Sequence, residues 1–422
     1  MNQSLEPIET SIIIPVYNKW HLTKNCCQAL AKTLPRANVQ VIVIDNGSTD
    51  ETKHDAPLLL QSLFGQNGLY LRNEQNRNFG PASNQGAKVA SGQYLLFLNN
   101  DTIPLDGWYE PLIQDFSEFA NIGATGPKLV YPATELLGHT IQHIGVSFSP
   151  SLAVRHIYEG IPAASPLASQ RRFFQIITAA CLLIPKKTFF EAGLFDEFYK
   201  NGLEDISLCA KLVSLGLRQT VNPKSTVIHL ASQTPGRHTH EEENNRYFTE
   251  HYQHLLKADL LDIWAKDGFL TSLNSWLQFI PKMPIDLDRV VKNRQELPLD
   301  KLIELLIAHP IWENGWQTLA AQGYGIEQLG QLFPSAYAAL TMYNSAKQKN
   351  DLETMQFALT LLKSYAEPWE DYLTGAREYQ TFYTQMGATK LAAIYTEWLK
   401  NSEMHFETAY QPFMAEYAKL QG

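Results

Sequence analysis

Two kinds of hydrophobic pattern alternate along the first 250 or so residues. Continuous apolar and β-branched runs, Ser11–Pro15, Val39–Ile44, Leu69–Arg72 and Tyr94–Leu98, are separated by stretches with helical spacing, Leu22–Leu34 and Pro81–Ala90 among them. Runs that are apolar along their whole length predict strands covered on both faces, hence a mostly parallel sheet flanked by helices. Such sheets bind ligands at the carboxyl ends of their strands. Polar residues gather at those ends: Tyr17-Asn18, Asp45-Asn46 and Asn99-Asn100-Asp101. From about residue 256 the pattern changes. Ala358, Leu361, Leu362 and Tyr365 recur at i, i+3, i+4 and i+7, as do Leu391, Ile394, Tyr395 and Trp398. That spacing predicts amphipathic helices, whose aromatic stripes are most simply read as packing core. The predicted organisation is an α/β domain over 1–255, connecting helices and a linker over 256–299, and an α-helical domain over 300–422. No exact repeat is visible, although an array of helical hairpins would fit the last part.

Composition narrows the choice of class. The chain has 422 residues, 45% hydrophobic and 18% charged, with a formal net charge of −9. It can bury a sizeable core, and it lacks the clustered basic face that nucleic-acid phosphates select. Its four cysteines, Cys26, Cys27, Cys181 and Cys209, show no CxxC spacing. Neither a zinc site nor a disulfide framework is expected, and a reducing compartment fits. Met1–Thr10 is polar and acidic, unlike a signal peptide, and the longest apolar stretches, such as Ile176–Pro185, are too short to span a bilayer. A cytoplasmic protein is expected, with peripheral attachment at the inner face of a membrane left open.

Four positions carry candidate chemistry, and each has a plainer alternative. Asp45 opens Asp45-Asn-Gly-Ser-Thr-Asp50. Its carboxylate could accept a hydrogen bond from a uracil N–H or a ribose hydroxyl, or simply form a turn. Asp101, ending Asn99-Asn100-Asp101, could offer a hard oxygen to Mg²⁺ or Mn²⁺ against a diphosphate, or cap a helix. Glu204-Asp205 opens the predicted helix Ile206–Leu215. The pair could hold a general base, or merely suit the helix dipole. His229 ends the strand Thr226–His229, followed by Ser232 and Thr234; it gains meaning only if the fold sets it beside Asp101.

Taken in order, Ile13–Asn18, Val43–Asp50, Asn78–Gly86, Leu98–Thr102, Phe195–Glu197, Glu204-Asp205 and His229 resemble the family 2 glycosyltransferases, which have the GT-A fold. The resemblance runs from about residue 9 to about 250. It implies an inverting transfer of a sugar from a nucleotide-sugar donor, with a UDP-sugar favoured and Mn²⁺ or Mg²⁺ as the cation. The implied acceptor is a hydroxyl on a bacterial-type surface glycan, a glycolipid or a glycoprotein. Carried over residue by residue, Pro15, Tyr17, Asn18, Asp45, Asn78 and Gly80 lie around the nucleotide. Asn99, Asn100 and Asp101 correspond to the DxD-type motif that meets the diphosphate and metal, with only the last acidic position kept. Asp205 is the implied base with Glu204 beside it, and His229 the implied second metal ligand. Ser207 stands where many relatives carry a further Asp.

Two other classes stay in view. A nucleotidyltransferase would ordinarily start with a Gly-rich basic loop, and neither that nor GxxxxGK nor GxGxxG is present. A catalytically inactive nucleotide-sugar-binding or scaffold module would fit the reduced Asn-Asn-Asp motif and the long helical tail, but not the joint presence of Asp101, Glu204, Asp205 and His229. The helical tail could contact an acceptor, a partner subunit, a second copy or a membrane surface.

Overall fold

The computed structural model describes residues 8–35, 38–230, 240–291 and 293–421. The chain divides into two compact units, Met1–Tyr158 with Ala168–Ala258, and Glu159–Leu167 with Asp259–Gly422. Ser232, Thr234 and the start of the acidic N-terminal segment lie outside the described residues.

The first unit starts with β1 (Thr10–Val16), α1 (Trp20–Thr33), β2 (Val39–Asp45), α2 (Thr52–Phe64), β3 (Gly68–Arg72), α3 (Phe79–Val89) and β4 (Tyr94–Leu98). The four strands pair in parallel in the order β3-β2-β1-β4, the arrangement that apolar runs joined by helices predict. After them come β5 (Thr102–Pro104), α4 (Glu110–Glu118), β6 (Ile122–Val130), β7 (Ile141–His143), β8 (Val146–Phe148), β9 (Val154–His156), β10 (Arg172–Phe174), β11 (Cys181–Pro185), α5 (Lys186–Glu191), α6 (Glu204–Ser214), β12 (Arg218–His229) and α7 (Glu241–His251). All of these strands but β8 and β9, which pair with each other, extend the sheet to ten strands, in the order β10-β12-β6-β11-β4-β1-β2-β3, with β5 on β12 and β7 on β6. The extension is mixed: β11 runs antiparallel between β4 and β6, while β12 runs parallel to β6. The first turn after β4 leads into a strand, β5, and not into a helix that Asp101 would cap.

Alternation along β1 fixes how the layers pack. Ile12, Ile14 and Val16 join a core with Cys26, Cys27 and Leu30 of α1, and with Trp108 and Leu112. Ile13 faces the opposite layer, where α3 lies so close that a Cβ on Gly86 would stand 2.5 Å from Ile13 Cγ2. On the same sheet, the ring of Phe97 sits 4.8 Å from those of both Phe189 and Phe195. Gly86→Ala is expected to destabilise the chain by about 1–3 kcal/mol, because overpacking outweighs the smaller helix-propensity gain. A denaturation midpoint equal to or above that of the parent would remove this account of the glycine.

The second unit is built mainly of helix pairs. The helix Ala336–Lys349 is followed by Leu352–Tyr365, and Trp369–Gln385 by Thr389–Lys400. The turn between the first pair is encoded locally. Asn350 adopts the left-handed conformation at φ 55°, and Asp351 caps the next helix by accepting from the Thr354 N–H at 3.1 Å. Ala358, Leu362 and Tyr365 are buried and pack with Trp276 and Phe413. Tyr395 and Trp398 are also buried, with Trp398 5.5 Å from the ring of Trp369. Residues 259–299 hold the helix Leu260–Lys266 and an antiparallel hairpin, Leu270–Leu273 with Phe279–Lys282. No helix among the described residues is long and apolar enough to cross a membrane.

Candidate active site

Strand direction decides which residues can meet. Because β1, β2, β3 and β4 are parallel, their carboxyl ends share one edge. There Val16 pairs with Asp45, and Asp45 with Arg72. Strand β11 opposes both β4 and β6, and β12 runs with β6, so β12 also ends on that edge. Strand β11 begins there, with Cys181 opposite Leu98. Three groups of side chains collect along the edge.

The first surrounds Asp45, which is fully buried. Its Oδ1 accepts from the Ser48 N–H at 2.8 Å, and its Oδ2 from the Tyr70 hydroxyl at 2.6 Å and from Arg72. Arg72 also donates to the Ser48 carbonyl at 2.9 Å. Burial and the bond to Asp45 push the Tyr70 hydroxyl up to about 12, so it stays a donor. A carboxylate offers about four lone-pair sites, and three are already used here. Asn18 adopts φ 55° and ties the β1–α1 loop to the β2–α2 loop. Its N–H donates to Ser48 Oγ at 2.8 Å, and its Oδ1 accepts from the Thr49 N–H at 2.7 Å. Asn78, at φ 64°, lends its carbonyl to Asn46 Nδ2 at 3.2 Å. Pro15 is half-buried opposite Ile44, and Tyr17 stands 49% exposed at the edge. The structure thus brings Tyr17, Asn18, Asp45 and Asn78 into one loop cluster and supplies Tyr70 and Arg72, which sequence reasoning missed. Extending the parallel pairing of Val39–Ile44 with Leu69–Arg72 by one residue would have placed Arg72 beside Asp45.

The second group is Asn99, Asp101 and His229. Pairing of β12 with β5 sets His229 opposite Thr102, which carries the ring to Asp101: His229 Nε2 lies 3.2 Å from Asp101 Oδ1 and 3.3 Å from Asn99 Nδ2. The other ring nitrogen, Nδ1, lies 2.6 Å from Gln142 Oε1. Asp101, His229 and Gln142 are all at least nine-tenths buried. Asn100 turns elsewhere, donating to Thr23 Oγ1 on α1 at 2.9 Å. Beneath this turn, burial pushes the Cys26 thiol up to about 12, so it remains a neutral thiol beside Thr102.

The third group sits at the start of α6. Asp205 accepts from the Ala179 N–H at 3.0 Å and from the Ile206 N–H at 2.9 Å. Glu204 is buried, and its Oε2 accepts from the Gly202 N–H at 2.6 Å, which folds its carboxylate back on its own loop. The Ala179 contact joins the third group to the second, because the adjoining Ala180 carbonyl accepts from the Asn99 N–H at 2.9 Å. Residues 178–180, leading into β11, therefore lie between Asp205 on one side and the Asn99–Asp101 turn on the other. The approach to α6 is held by Asn84. Its Nδ2 donates to the Phe195 carbonyl at 2.9 Å and to Glu197 at 3.0 Å, and its Oδ1 accepts from the Phe195 N–H at 3.0 Å. Two sequence blocks more than a hundred positions apart are bound by one amide. Gly80 lies at the same junction, where an added Cβ would stand 3.3 Å from the Asp196 carbonyl.

The donor set suits a hard divalent cation bound mainly by its substrate. Two ligands about 2.1 Å from a cation and at right angles lie about 3 Å apart; the Asp101–His229 separation is 3.2 Å. No group of three or more His, Cys, Asp or Glu side chains able to hold a metal occurs among the described residues. One or two protein ligands completed by phosphate oxygens and water is the usual arrangement for such ions at phosphorylated substrates. Residues Asp101 and His229 would hold the ion, with Asn99 beside them.

Residues 11–165 match the model of the family described as glycosyl transferase family 2. The O-antigen biosynthesis protein RfbC of Myxococcus xanthus is 28% identical over 52% of this chain and 17% of its own length. The minor teichoic acid biosynthesis protein GgaB of Bacillus subtilis is 24% identical over 71% of this chain and 31% of its own. The chain thus spans less than a third of either relative. Among solved structures, GalNAc-T7 with UDP, GalNAc and Mn²⁺ aligns over 53% of this chain and 44% of its own, at 19% identity and TM-score 0.44. Staphylococcus aureus TarS 1–349 aligns over 83% and 90%, at 15% identity and TM-score 0.41. The family 2 match over residues 11–165 takes in the segment that carries Asp45 and Asp101.

Proposed function

We propose that the chain transfers a sugar from a nucleotide-sugar donor, a UDP-sugar by preference, to a hydroxyl of a surface glycan, a lipid-linked glycan or a glycoprotein, with inversion at the anomeric carbon. The observation that carries this reading is the placement of Asp101 with His229 on the same strand edge as Asp205, on either side of residues 178–180. In this reading the nucleotide lies over Tyr17, Asn18, Asn78 and the Asp45–Arg72 pair. Arg72 offers N–H donors and Tyr17 a ring face, while Asp45, with three of its acceptor sites taken by Ser48, Tyr70 and Arg72, keeps about one for the nucleotide. A bound Mn²⁺ or Mg²⁺ supplies positive charge to the diphosphate as the bond to the sugar breaks. Asp205 accepts the proton of the attacking hydroxyl, which is a poor nucleophile while it keeps it. Two backbone N–H groups fix the orientation of that carboxylate and leave lone pairs on both oxygens. Glu204 holds the loop. The names of the relatives, concerned with O-antigen and teichoic acid, support a bacterial cell-surface polymer as acceptor.

A thermal-shift screen of nucleotide sugars with and without Mn²⁺ tests the proposal. A donor at a hundred times its dissociation constant adds about 2.7 kcal/mol to the native state. One nucleotide sugar is expected to raise the melting temperature, and only when Mn²⁺ is present. No shift with any UDP-, GDP- or TDP-sugar would count against a donor site on this edge.

A further inference from the structure

Gln142 occupies an irregular point in the sheet. Strand β7 pairs with β6 through Leu129 with His143 and Val130 with Ile141, so one extra residue, Gln142, stands on β7 between two successive partners. A bulge of this kind turns a side chain out of the regular alternation. Here it sends the Gln142 amide to His229, with Oε1 2.6 Å from Nδ1. An amide oxygen has no proton to donate, so the hydrogen of this contact is on His229 Nδ1. In a neutral imidazole the other nitrogen, Nε2, then carries the lone pair. That nitrogen faces Asp101 Oδ1 at 3.2 Å and Asn99 Nδ2 at 3.3 Å. Gln142 and His229 are only 7% and 8% exposed, so water competes poorly for either group.

We propose that Gln142 is a positioning residue for the cation. By accepting from Nδ1–H it holds His229 in the one tautomer that presents a bare Nε2 toward Asp101. This rests on the reading of Asp101 and His229 as the cation's ligands. Histidines that ligate metals ordinarily give their second N–H to a carbonyl, carboxylate or water, and loss of that acceptor weakens metal binding 10–100-fold. The bulge explains how a three-residue strand supplies the acceptor. It also explains why no hydrophobic period marks Gln142 in the sequence.

The test uses the full chain labelled with ¹⁵N-histidine, its His229 signals identified by their loss in His229→Asn. In the metal-free protein, His229 is expected to show a protonated Nδ1 and an unprotonated Nε2. Gln142→Leu should give a mixed or inverted tautomer and weaken Mn²⁺ binding, followed by Mn²⁺ electron paramagnetic resonance with and without UDP, by about 10–100-fold. Gln142→Glu keeps an acceptor and should restore both. A proton on Nε2 in the parent protein overturns the inference without any variant, even if Gln142→Leu fails to fold. Gln142→Leu with the parent's tautomer and Mn²⁺ affinity also overturns it. Failure of the parent chain to bind Mn²⁺ under either condition overturns the assignment of Asp101 and His229 as ligands, and the role of Gln142 with it.

Discussion

Asp101→Ala is expected to abolish Mn²⁺-dependent binding of a UDP-sugar and, with it, transfer. Asp101 is the single carboxylate of the Asn99-Asn100-Asp101 turn, and its Oδ1 is 3.2 Å from the His229 ring. Removing one of the two proposed protein ligands should exceed the effect of losing a supporting group, which is about 10–100-fold in metal affinity. The backbone contact of Asp101, its carbonyl accepting from the Leu230 N–H at 2.9 Å, survives in alanine. The turn and the β5–β12 pairing should therefore persist, and circular dichroism and melting should remain close to the parent's. Isothermal titration of UDP-sugar into parent and variant, each with Mn²⁺ and with chelator, separates the cases. Parent-like affinity of the variant in Mn²⁺ would show that the cation lies elsewhere.

Asp205→Asn is expected to lower kcat by ~10²–10⁴-fold with little change in donor affinity, the scale for losing a general base. Asparagine is nearly isosteric and can still accept through its carbonyl oxygen, but it does not take up the proton. Glu204→Gln should do less harm to turnover. The Glu204 carboxylate is turned onto the Gly202 N–H at 2.6 Å, and its amide analogue retains an acceptor there. The measurement is kcat and donor KM for both variants with one acceptor. An inactive Glu204→Gln beside an active Asp205→Asn would reverse the two roles. Full activity in both would leave the pair as a charged helix start.

The parallel half of the sheet was legible because each of its strands is a short, wholly apolar run closed by polar residues, with a helix between. The antiparallel half was not, and β6 shows why. Its sequence, Ile-Gly-Ala-Thr-Gly-Pro-Lys-Leu-Val, is broken by two glycines and a proline, which ordinarily read as a turn. The structure requires the glycine at 126 and crowds the one at 123. A Cβ on Gly126 would stand 2.8 Å from the Cys181 carbonyl of β11, and one on Gly123 would stand 3.0 Å from Leu217 Cβ. Direction was also hidden: Ile176–Pro185 is visibly apolar, but nothing local says that β11 runs against β4. The candidate site divides the same way. Asp45, Asp101, Glu204, Asp205 and His229 stand at element ends and were named from the sequence. Arg72, Gln142 and the 178–180 segment act through pairing across the sheet and carry no local mark.

The place of β11 also sets an order of events during synthesis. Among the described residues β4 and β6 are joined only through β11, so the sheet is not continuous until β11 is available. A ribosome-bound chain that ends before Cys181 therefore exposes an unpaired β4 margin, the kind of open edge that invites pairing with other chains. Asn99 and His229 are 130 positions apart. At 5–20 residues per second, roughly ten seconds of elongation separate their emergence. Until then the nascent polypeptide can hold a folded parallel half with no paired Asp101 and His229. A chaperone that shields strand margins would have its work concentrated in that interval, and a premature stop anywhere before residue 229 would yield a fragment that lacks His229.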